Sequence, residues 1–437
     1  MKIDKYVKVL QNLVEIPSIS SLDSHKDDVV KSANFVGELF EDLGLETKIT
    51  SVENGQPAVL AQIKIDPKKK TVLLYAHHDV QPVGDEEAWN TEPFNPEIID
   101  GRLYGRGSGD DKAGVILHYA VVEELLDNLP VNIKIFIEGE EEIGSPTMEE
   151  FINQNREALE ADAIVIADSG NIKIGEPTLT TSLRGLVDAT IKVKVPIQPV
   201  HSGVGGGIVP DAMMVLSKVL SSFHDEEGNL LIKGLDIDSQ NVTEIDKDLI
   251  ERMLGGEKNI PFFKTSSISK RLWLEPALDI LAIDAPRVED SINLIIPEAS
   301  AKVSLRLAPS QDPDKAMEML KGHVKENSPW GVDVDFIEGA KGSGVLCESS
   351  GEFIEILLDK FSEVWKKEPS FMGVGGSIPF ANVFSEQFPD AEIALIGVSD
   401  GELGNAHAPN ESVEIGDLEK MIQALSDTLV GYGEQNY

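Results

Sequence analysis

The chain contains 437 residues, of which 41% are hydrophobic and 26% charged. Lys and Arg number 38 against 76 Asp and Glu, so the formal net charge is -38 at pH 7. Such a surface repels phosphate backbones and anionic lipid, so we expect neither nucleic acid nor a membrane as a partner. The single cysteine, Cys347, cannot form an intramolecular disulfide, and the N-terminal segment lacks the apolar core of a signal peptide. A cytoplasmic location is therefore predicted.

The first part of the chain predicts an α/β layer. Two amphipathic helices open it, and Gly44 follows the second as a C-terminal stop. A further helix is predicted at 113–128. Short apolar strands rich in β-branched residues are predicted at 58–65, 71–76, 132–137 and 163–167. This alternation is typical of a parallel or mixed sheet flanked by helices.

From residue 182 the pattern changes to a separate α+β unit, interrupted by a polar segment near 224–262 that lacks periodicity. The last part returns to the first style, with a helix near 352–367, a strand at 391–398 and a final helix from 416. We therefore predict a catalytic domain formed by 1–181 and 342–437, with 182–341 inserted as a smaller α+β domain.

Polar residues gather where the predicted strands of the catalytic domain end. Each has an ordinary alternative explanation, such as a solvated acidic face or a helix N-terminus. In an α/β fold, however, the carboxyl ends of neighbouring strands converge, and carboxylates crowded there need a cation. Two histidines with three carboxylates suit two divalent metals sharing one carboxylate, with Zn²⁺ preferred and Mn²⁺ or Co²⁺ also compatible. The residues concerned are His77, Asp79, Asp110, Glu141, Glu142, Asp168 and His407.

Four motifs in order resemble those of one enzyme family. They are "AHHDVQPV", "LYGRGSGDDKAG", "EGEEEIGS" and "NAHAPNE". The chain resembles the dinuclear-zinc exopeptidases, which include carnosine dipeptidases, bacterial Xaa-His dipeptidases, carboxypeptidase G, aminoacylases, acetylornithine deacetylase and succinyl-diaminopimelate desuccinylase. The resemblance implies a zinc-exopeptidase-like catalytic domain and an inserted ferredoxin-like domain that acts as a lid and forms a homodimer.

The resemblance also implies roles for the clustered residues. His77 and Asp168 would hold one metal, and Asp110 would bridge to the second. Asp79 would accept a hydrogen bond from the other ring nitrogen of His77. Glu141 would be the general base that takes a proton from the attacking water. The second metal would be held by Glu142 and His407, and the family's cis peptide would fall between Asp110 and Asp111.

Further residues are implied outside the metal cluster. His201 in "VHSGVGGG" would steady the substrate carbonyl, and in dimeric relatives this histidine comes from the other subunit. Arg306 would bind the free substrate carboxylate. A glycine-rich loop would line the same end of the pocket through Gly375, Gly376 and Ser377. Two positions depart from the family pattern: Gly373 where an arginine is common, and Leu294 where dipeptidases often have threonine.

The activity that best fits these residues is hydrolysis of one amide bond in a dipeptide or short peptide with a free C-terminal carboxylate. An N-acyl amino acid deacylase would use the same catalytic residues and remains the alternative. A non-catalytic binding relative is disfavoured because no predicted ligand is missing. A two-metal phosphoesterase is disfavoured because no phosphate-binding loop accompanies the metal set and the net charge is strongly negative.

Overall fold

The computed structural model describes residues 2–256, 260–347, 349–376 and 379–434. Its helices are α1 (Ile3–Val14), α2 (Lys26–Asp42), α3 (Lys112–Leu125), α4 (Met148–Leu159), α5 (Ser202–Gly205), α6 (Ala212–Ser221), α7 (Lys247–Met253), α8 (Ile268–Trp273), α9 (Pro313–Glu326), α10 (Glu352–Trp365), α11 (Pro379–Gln387) and α12 (Ile415–Glu434). Its strands are β1 (Glu46–Thr50), β2 (Ala58–Ile63), β3 (Thr71–His77), β4 (Glu97–Ile99), β5 (Arg102–Tyr104), β6 (Asn132–Glu138), β7 (Ala163–Ile166), β8 (Gly170–Asn171), β9 (Thr178–Leu183), β10 (Gly185–Lys194), β11 (Val200–His201), β12 (Ala277–Asp284), β13 (Leu294–Ile295), β14 (Glu298–Leu307), β15 (Val334–Gly342), β16 (Val345–Leu346), β17 (Ser370–Val374), β18 (Glu392–Leu395), β19 (Ser399–Asp400) and β20 (Ser412–Glu414).

The larger sheet is mixed, with the strand order β1-β2-β6-β3-β7-β18-β9-β16 and β17 paired to β9. Its centre is parallel, because β3 pairs in parallel with β6 and β7, and β7 pairs in parallel with β18. Alternate residues of β3 enter two different cores: Val72 and Leu74 pack in one, and Leu73 and Tyr75 in the other. The predicted mixed sheet flanked by helices is confirmed.

Helices cover both faces of this sheet. The core on one face includes side chains from α1, α2, α3, α10 and α12, and the core on the other includes side chains from α4 and α11. Helix α1 shows why the sequence forms such a layer, since Tyr6, Leu10 and Leu13 recur at helical spacing and are all fully buried. Burial of this apolar surface is the main force that fixes the helices on the sheet.

A second sheet has the order β12-β14-β10-β15, and all of its pairs are antiparallel. Helices α6 and α9 pack on this sheet, and a separate apolar core lies between the helices and the sheet. In chain order, β10, α6, β12, β14, α9 and β15 give the strand-helix-strand-strand-helix-strand pattern of a ferredoxin-like unit. Strand β12 lies at an edge of this sheet and is not among the strands predicted from the sequence.

The segment near 224–262, predicted to be a polar insertion, contains a helix and buried apolar residues. Within it lies helix α7, and Ile245, Leu249 and Ile250 are buried in an apolar cluster. That cluster includes Ile172 and Trp273, which come from other parts of the chain. The segment lacks periodicity because its few apolar residues pack against distant partners rather than forming a continuous stripe.

Candidate active site

The carboxyl ends of three adjacent parallel strands carry predicted site residues. Strand β3 ends at the fully buried His77, β6 leads into the short turn Glu141–Ile143, and Asp168 follows β7. Because β6, β3 and β7 are neighbours in the sheet, these ends meet at one edge. Asp110 arrives from the loop before α3, and His407 from the loop between β19 and β20.

Asp110 lies between two histidines and offers a different oxygen to each. Its Oδ1 is 3.1 Å from His77 Nε2, and its Oδ2 is 3.0 Å from His407 Nε2. His407 Nε2 is also 3.1 Å from Glu142 Oε2, and His77 Nε2 is 3.8 Å from Asp168 Oδ1. The structure therefore brings together all five residues predicted as metal ligands.

Glu141 belongs to the same cluster. One ligand atom each from His77, Glu141 and Asp168 lie within 4.8 Å of one another, as do those of His77, Asp110 and Glu142. The peptide bond between Asp110 and Asp111 is cis, as the family resemblance implies. His407 adopts a φ of 62°, in the left-handed region that non-glycine residues seldom occupy and that is often found at functional sites.

The electrostatics of the cluster reflect crowded acids. Burial raises the pKa of Glu141 to about 10, and the neighbouring Asp168 adds to the rise. Burial also raises the pKa of Asp168 to about 6, although His77 opposes it. Hydrogen bonds to Asp110 and Glu142 raise the pKa of His407 to about 10. These carboxylates therefore favour an added positive charge, either a proton or a cation.

The donor set fits divalent metal ions. Imidazole nitrogen and carboxylate oxygen are the ligands expected for Zn²⁺, and carboxylate oxygen also suits Mn²⁺. The two oxygens of Asp110 face separate imidazoles, which is the placement that a shared carboxylate between two ions requires. The residues that could hold the ions are His77, Asp110, Glu141, Glu142, Asp168 and His407.

Asp79 makes more contacts within the site than the sequence predicted. The acceptor nearest to His77 Nδ1 is the main-chain oxygen of Asp79, at 3.0 Å, whereas the carboxylate Oδ1 is 3.4 Å away. The two carboxylate oxygens accept hydrogen bonds from the backbone N–H groups of Glu141, at 3.2 Å, and Glu142, at 3.1 Å. The fully buried Asp79 therefore orients His77 and also fixes the turn that carries both glutamates.

Glu411 supports the cluster and was missed as a functional residue. Its fully buried carboxylate accepts hydrogen bonds from the backbone N–H groups of Gly107, Gly109 and Asp110, and it pairs with Arg106. It thus fixes the loop that presents Asp110 to the histidines. The sequence carries a signal for this role, because Glu411 is the final residue of the motif "NAHAPNE" that also contains His407.

Two other predicted residues lie within 182–341, His201 on the two-stranded sheet β11-β13 and Arg306 on the four-stranded sheet. His201 is exposed at the end of β11, pairs with Leu294 of β13, and its Nδ1 accepts a hydrogen bond from the Gly203 N–H. Arg306 is half-buried on β14, opposite Leu186 of β10. Neither residue is among the described residues that line the cavity beside the cluster.

A cavity of about 510 Å³ opens beside the acidic cluster, and Asp110, Glu141, Asp168 and His407 line it. Gly375 is part of its lining, and Gly376 follows directly along the chain. The prediction for Ser377 falls outside the described residues. Most of the other lining residues are apolar or small, so the cavity can enclose a small organic ligand.

Among the described residues, none of the helices has both the length and the apolar composition needed to cross a membrane. An acidic cluster with two histidines at the strand ends, next to a cavity, is the arrangement of a metal-dependent hydrolase. Comparison with known proteins identifies the family of hydrolases to which the chain belongs.

The chain belongs to peptidase family M20/M25/M40, whose model matches residues 73–430, and it is a metallopeptidase. It is 30% identical to the cysteinylglycine-S-conjugate dipeptidase of Corynebacterium striatum, over 99% of this chain and 96% of that protein. It is 29% identical to the Beta-Ala-His dipeptidase of Rattus norvegicus, over 94% and 89% of the two chains. Among solved structures, the di-peptidase Dug1p from Saccharomyces cerevisiae superposes with a TM-score of 0.80 at 26% identity, covering 99% and 97% of the two chains.

Proposed function

We propose that this metallopeptidase hydrolyses dipeptides with a free C-terminal carboxylate, using two divalent ions. The observation that carries the proposal is the position of Asp110, whose two oxygens lie 3.1 Å and 3.0 Å from the ring nitrogens of two different histidines. Full-length similarity to proteins named as dipeptidases supports the substrate class. When bound, the ions would supply an activated water and polarise the scissile carbonyl.

Each metal would have ligands of its own in this proposal. His77 and Asp168 would hold one ion, Glu142 and His407 the other, and Asp110 would serve both. Zn²⁺ is the proposed metal because imidazole prefers it, with Mn²⁺ or Co²⁺ as substitutes. The short contacts of Asp110 and Glu142 with His407 support this division.

Glu141 would act as the general base and return the proton to the leaving amine. A base must be ionised, and burial together with Asp168 raises the pKa of Glu141 to about 10. Added positive charge at the cluster would lower that pKa towards a useful range. Asp79 fixes the backbone N–H groups of Glu141 and Glu142, so it would position the base relative to the reacting carbonyl.

Residues 182–341 would complete the site across a dimer. His201 is exposed and is not among the described lining residues of this chain's cavity, which supports its use by a partner subunit. The edge strand β12 supports a homodimer, since Ile280, Leu281 and Ile283 are 46%, 58% and 57% exposed and exposed apolar edges favour pairing. Residues 182–341 would then form the lid and dimerisation domain, with Arg306 holding the substrate carboxylate near the glycine-rich loop. A cytoplasmic location stays a prediction.

A paired hydrolysis screen tests the proposal. The zinc-loaded and manganese-loaded proteins are offered free dipeptides beside the matching N-acetyl and N-succinyl amino acids, with a chelator control. Chelator-sensitive cleavage of the dipeptides supports the proposal. Cleavage of the acylated compounds alone would instead identify an N-acyl amino acid deacylase.

A further inference from the structure

The cavity beside the acidic cluster has a continuous apolar portion in its lining. These side chains come from separate regions of the chain, and most of them belong to one segment, which we call the wall segment and define as residues 236–256 and 260–275. The apolar lining consists of Ile172, Ile245, Met253, Leu272, Trp273 and Met372.

The wall segment is fastened to the larger sheet by contacts within the same chain. The Thr243 N–H donates to the Phe371 carbonyl at 2.7 Å, and the Phe371 N–H donates back to Thr243 Oγ1 at 2.9 Å. Arg252 at the end of α7 forms an ion pair with Glu402 at 3.0 Å. Ile245 is buried in the apolar cluster that also contains residues outside the segment. The wall is thus formed by the chain that carries the acidic cluster.

Trp273 packs closely on strand β17. A β-carbon placed on Gly373 would lie 2.6 Å from Trp273 Cβ, so residue 373 must be glycine for this packing. The nearby guanidinium of Arg184 is buried and donates to the carbonyls of Leu272, at 2.8 Å, and Glu275, at 2.6 Å. That cation therefore holds the main chain of the wall segment.

The side chains that the wall segment gives to the cavity, from Ile245, Met253, Leu272 and Trp273, carry no charge. Among the described residues that line the cavity none is Lys or Arg, and His407 belongs to the acidic cluster. An acidic side chain placed against the wall would lose water without gaining an opposite charge from the wall, whereas an apolar side chain there would be stabilised by leaving water.

Resting on the proposed dipeptidase function, we infer that the wall segment selects substrates by one side chain, which must be apolar and uncharged. Met253 and Trp273 are specificity-determining residues of this wall. Met253 reaches across to the catalytic loops, since a β-carbon on Gly401 would lie 3.3 Å from its Cε. It is also 41% exposed, so its replacement leaves the apolar cluster in place.

The test compares Met253→Lys with Leu254→Lys. Leu254 is the next residue, is 61% exposed and does not line the cavity, so it controls for charge and for the stability of α7. The substrates are Leu-Gly, Glu-Gly, Gly-Leu and Gly-Glu, and kcat/KM is measured for each. In the native protein, the leucine member of at least one pair should exceed its glutamate partner by about ten-fold or more.

Met253→Lys should reduce that ratio by about ten-fold, because a cation now faces the cavity, while Leu254→Lys should leave it unchanged within about two-fold. Equal or better cleavage of the glutamate member in both pairs by the native protein would overturn the inference, as would an unchanged ratio in Met253→Lys.

Calorimetry measures binding of the same four dipeptides to metal-loaded Glu141→Ala. It distinguishes substrate selection by the wall segment from effects on turnover. The inference is supported if a leucine dipeptide binds more tightly than its glutamate partner and if adding Met253→Lys to this variant removes that preference. No binding, or no preference, counts against it. Selective binding with no dipeptide turnover by the native protein would instead reject the proposed function and leave the selectivity supported.

Discussion

Replacement of Glu411 by glutamine should destabilise the protein and weaken its metal binding, although the side chain touches no predicted ligand atom. One carboxylate oxygen accepts from Gly109 and Asp110, at 2.9 Å and 3.1 Å, and the other accepts from Gly107 at 3.0 Å and pairs with Arg106. A glutamine has one acceptor oxygen, so in either orientation its NH₂ group faces buried donors.

The expected magnitude follows from these contacts. Loss of one partner of a buried ion pair costs about 3–5 kcal/mol, because the remaining charge stays desolvated. Arg106 is 1% exposed and Glu411 is fully buried, so water cannot replace the lost carboxylate. The loop that presents Asp110 would also loosen, and the loss of such supporting contacts typically lowers metal affinity by about 10–100-fold.

Urea unfolding of the metal-free protein and chelator competition for Zn²⁺ measure the two effects. Burial raises the pKa of Glu411 to about 7, so the comparison belongs at about pH 8.5, where the native carboxylate is ionised. The control is Glu97→Gln, the same change at an exposed position of β4. If Glu411→Gln matches Glu97→Gln within about 0.5 kcal/mol and binds zinc equally well, the supporting role of Glu411 is wrong.

Three other predictions concern the general base, the carboxylate-binding arginine and the cysteine. Glu141→Ala should retain zinc by metal analysis while kcat falls by about 10²–10⁴-fold; a near-native kcat would remove Glu141 as the base. Arg306→Ala should raise KM for dipeptides with little change in kcat, whereas Arg287→Ala, at an exposed position, should change neither; an unchanged KM would exclude Arg306 from the carboxylate site. Burial raises the pKa of the Cys347 thiol to about 12, so at about pH 8.5 iodoacetamide should modify the folded protein about 1000-fold more slowly than the urea-unfolded chain. Equal rates by mass spectrometry would contradict that pKa.

The strands of the larger sheet and the helices packed on it could be predicted because their apolar residues form recognisable local patterns along the chain. Strand β3 is a continuous apolar run, as expected for a strand buried on both faces, and helix α1 has apolar residues three to four positions apart. The metal cluster could be predicted for a related reason: each ligand follows a strand or a glycine-rich turn, and parallel strands bring such positions together.

What the sequence did not reveal depends on contacts between distant residues. Ile245 and Leu249 read as isolated apolar residues in a polar stretch, and only packing against Ile172 and Trp273 gives them a core. Glu411 looked like part of a ligand motif, since nothing local shows that its carboxylate reaches back to Gly107 and its neighbours.

The order of the larger sheet has a consequence for synthesis of the chain. Strand β18 (Glu392–Leu395) lies inside the sheet, between β7 and β9, and His407 and Glu411 follow it. An emerging chain therefore cannot close the sheet or assemble the metal ligands until residues 392–411 have left the ribosome. Such long-range pairing is slow to form. We expect metal to be loaded only after these residues have emerged, onto a sheet into which β18 has just been inserted.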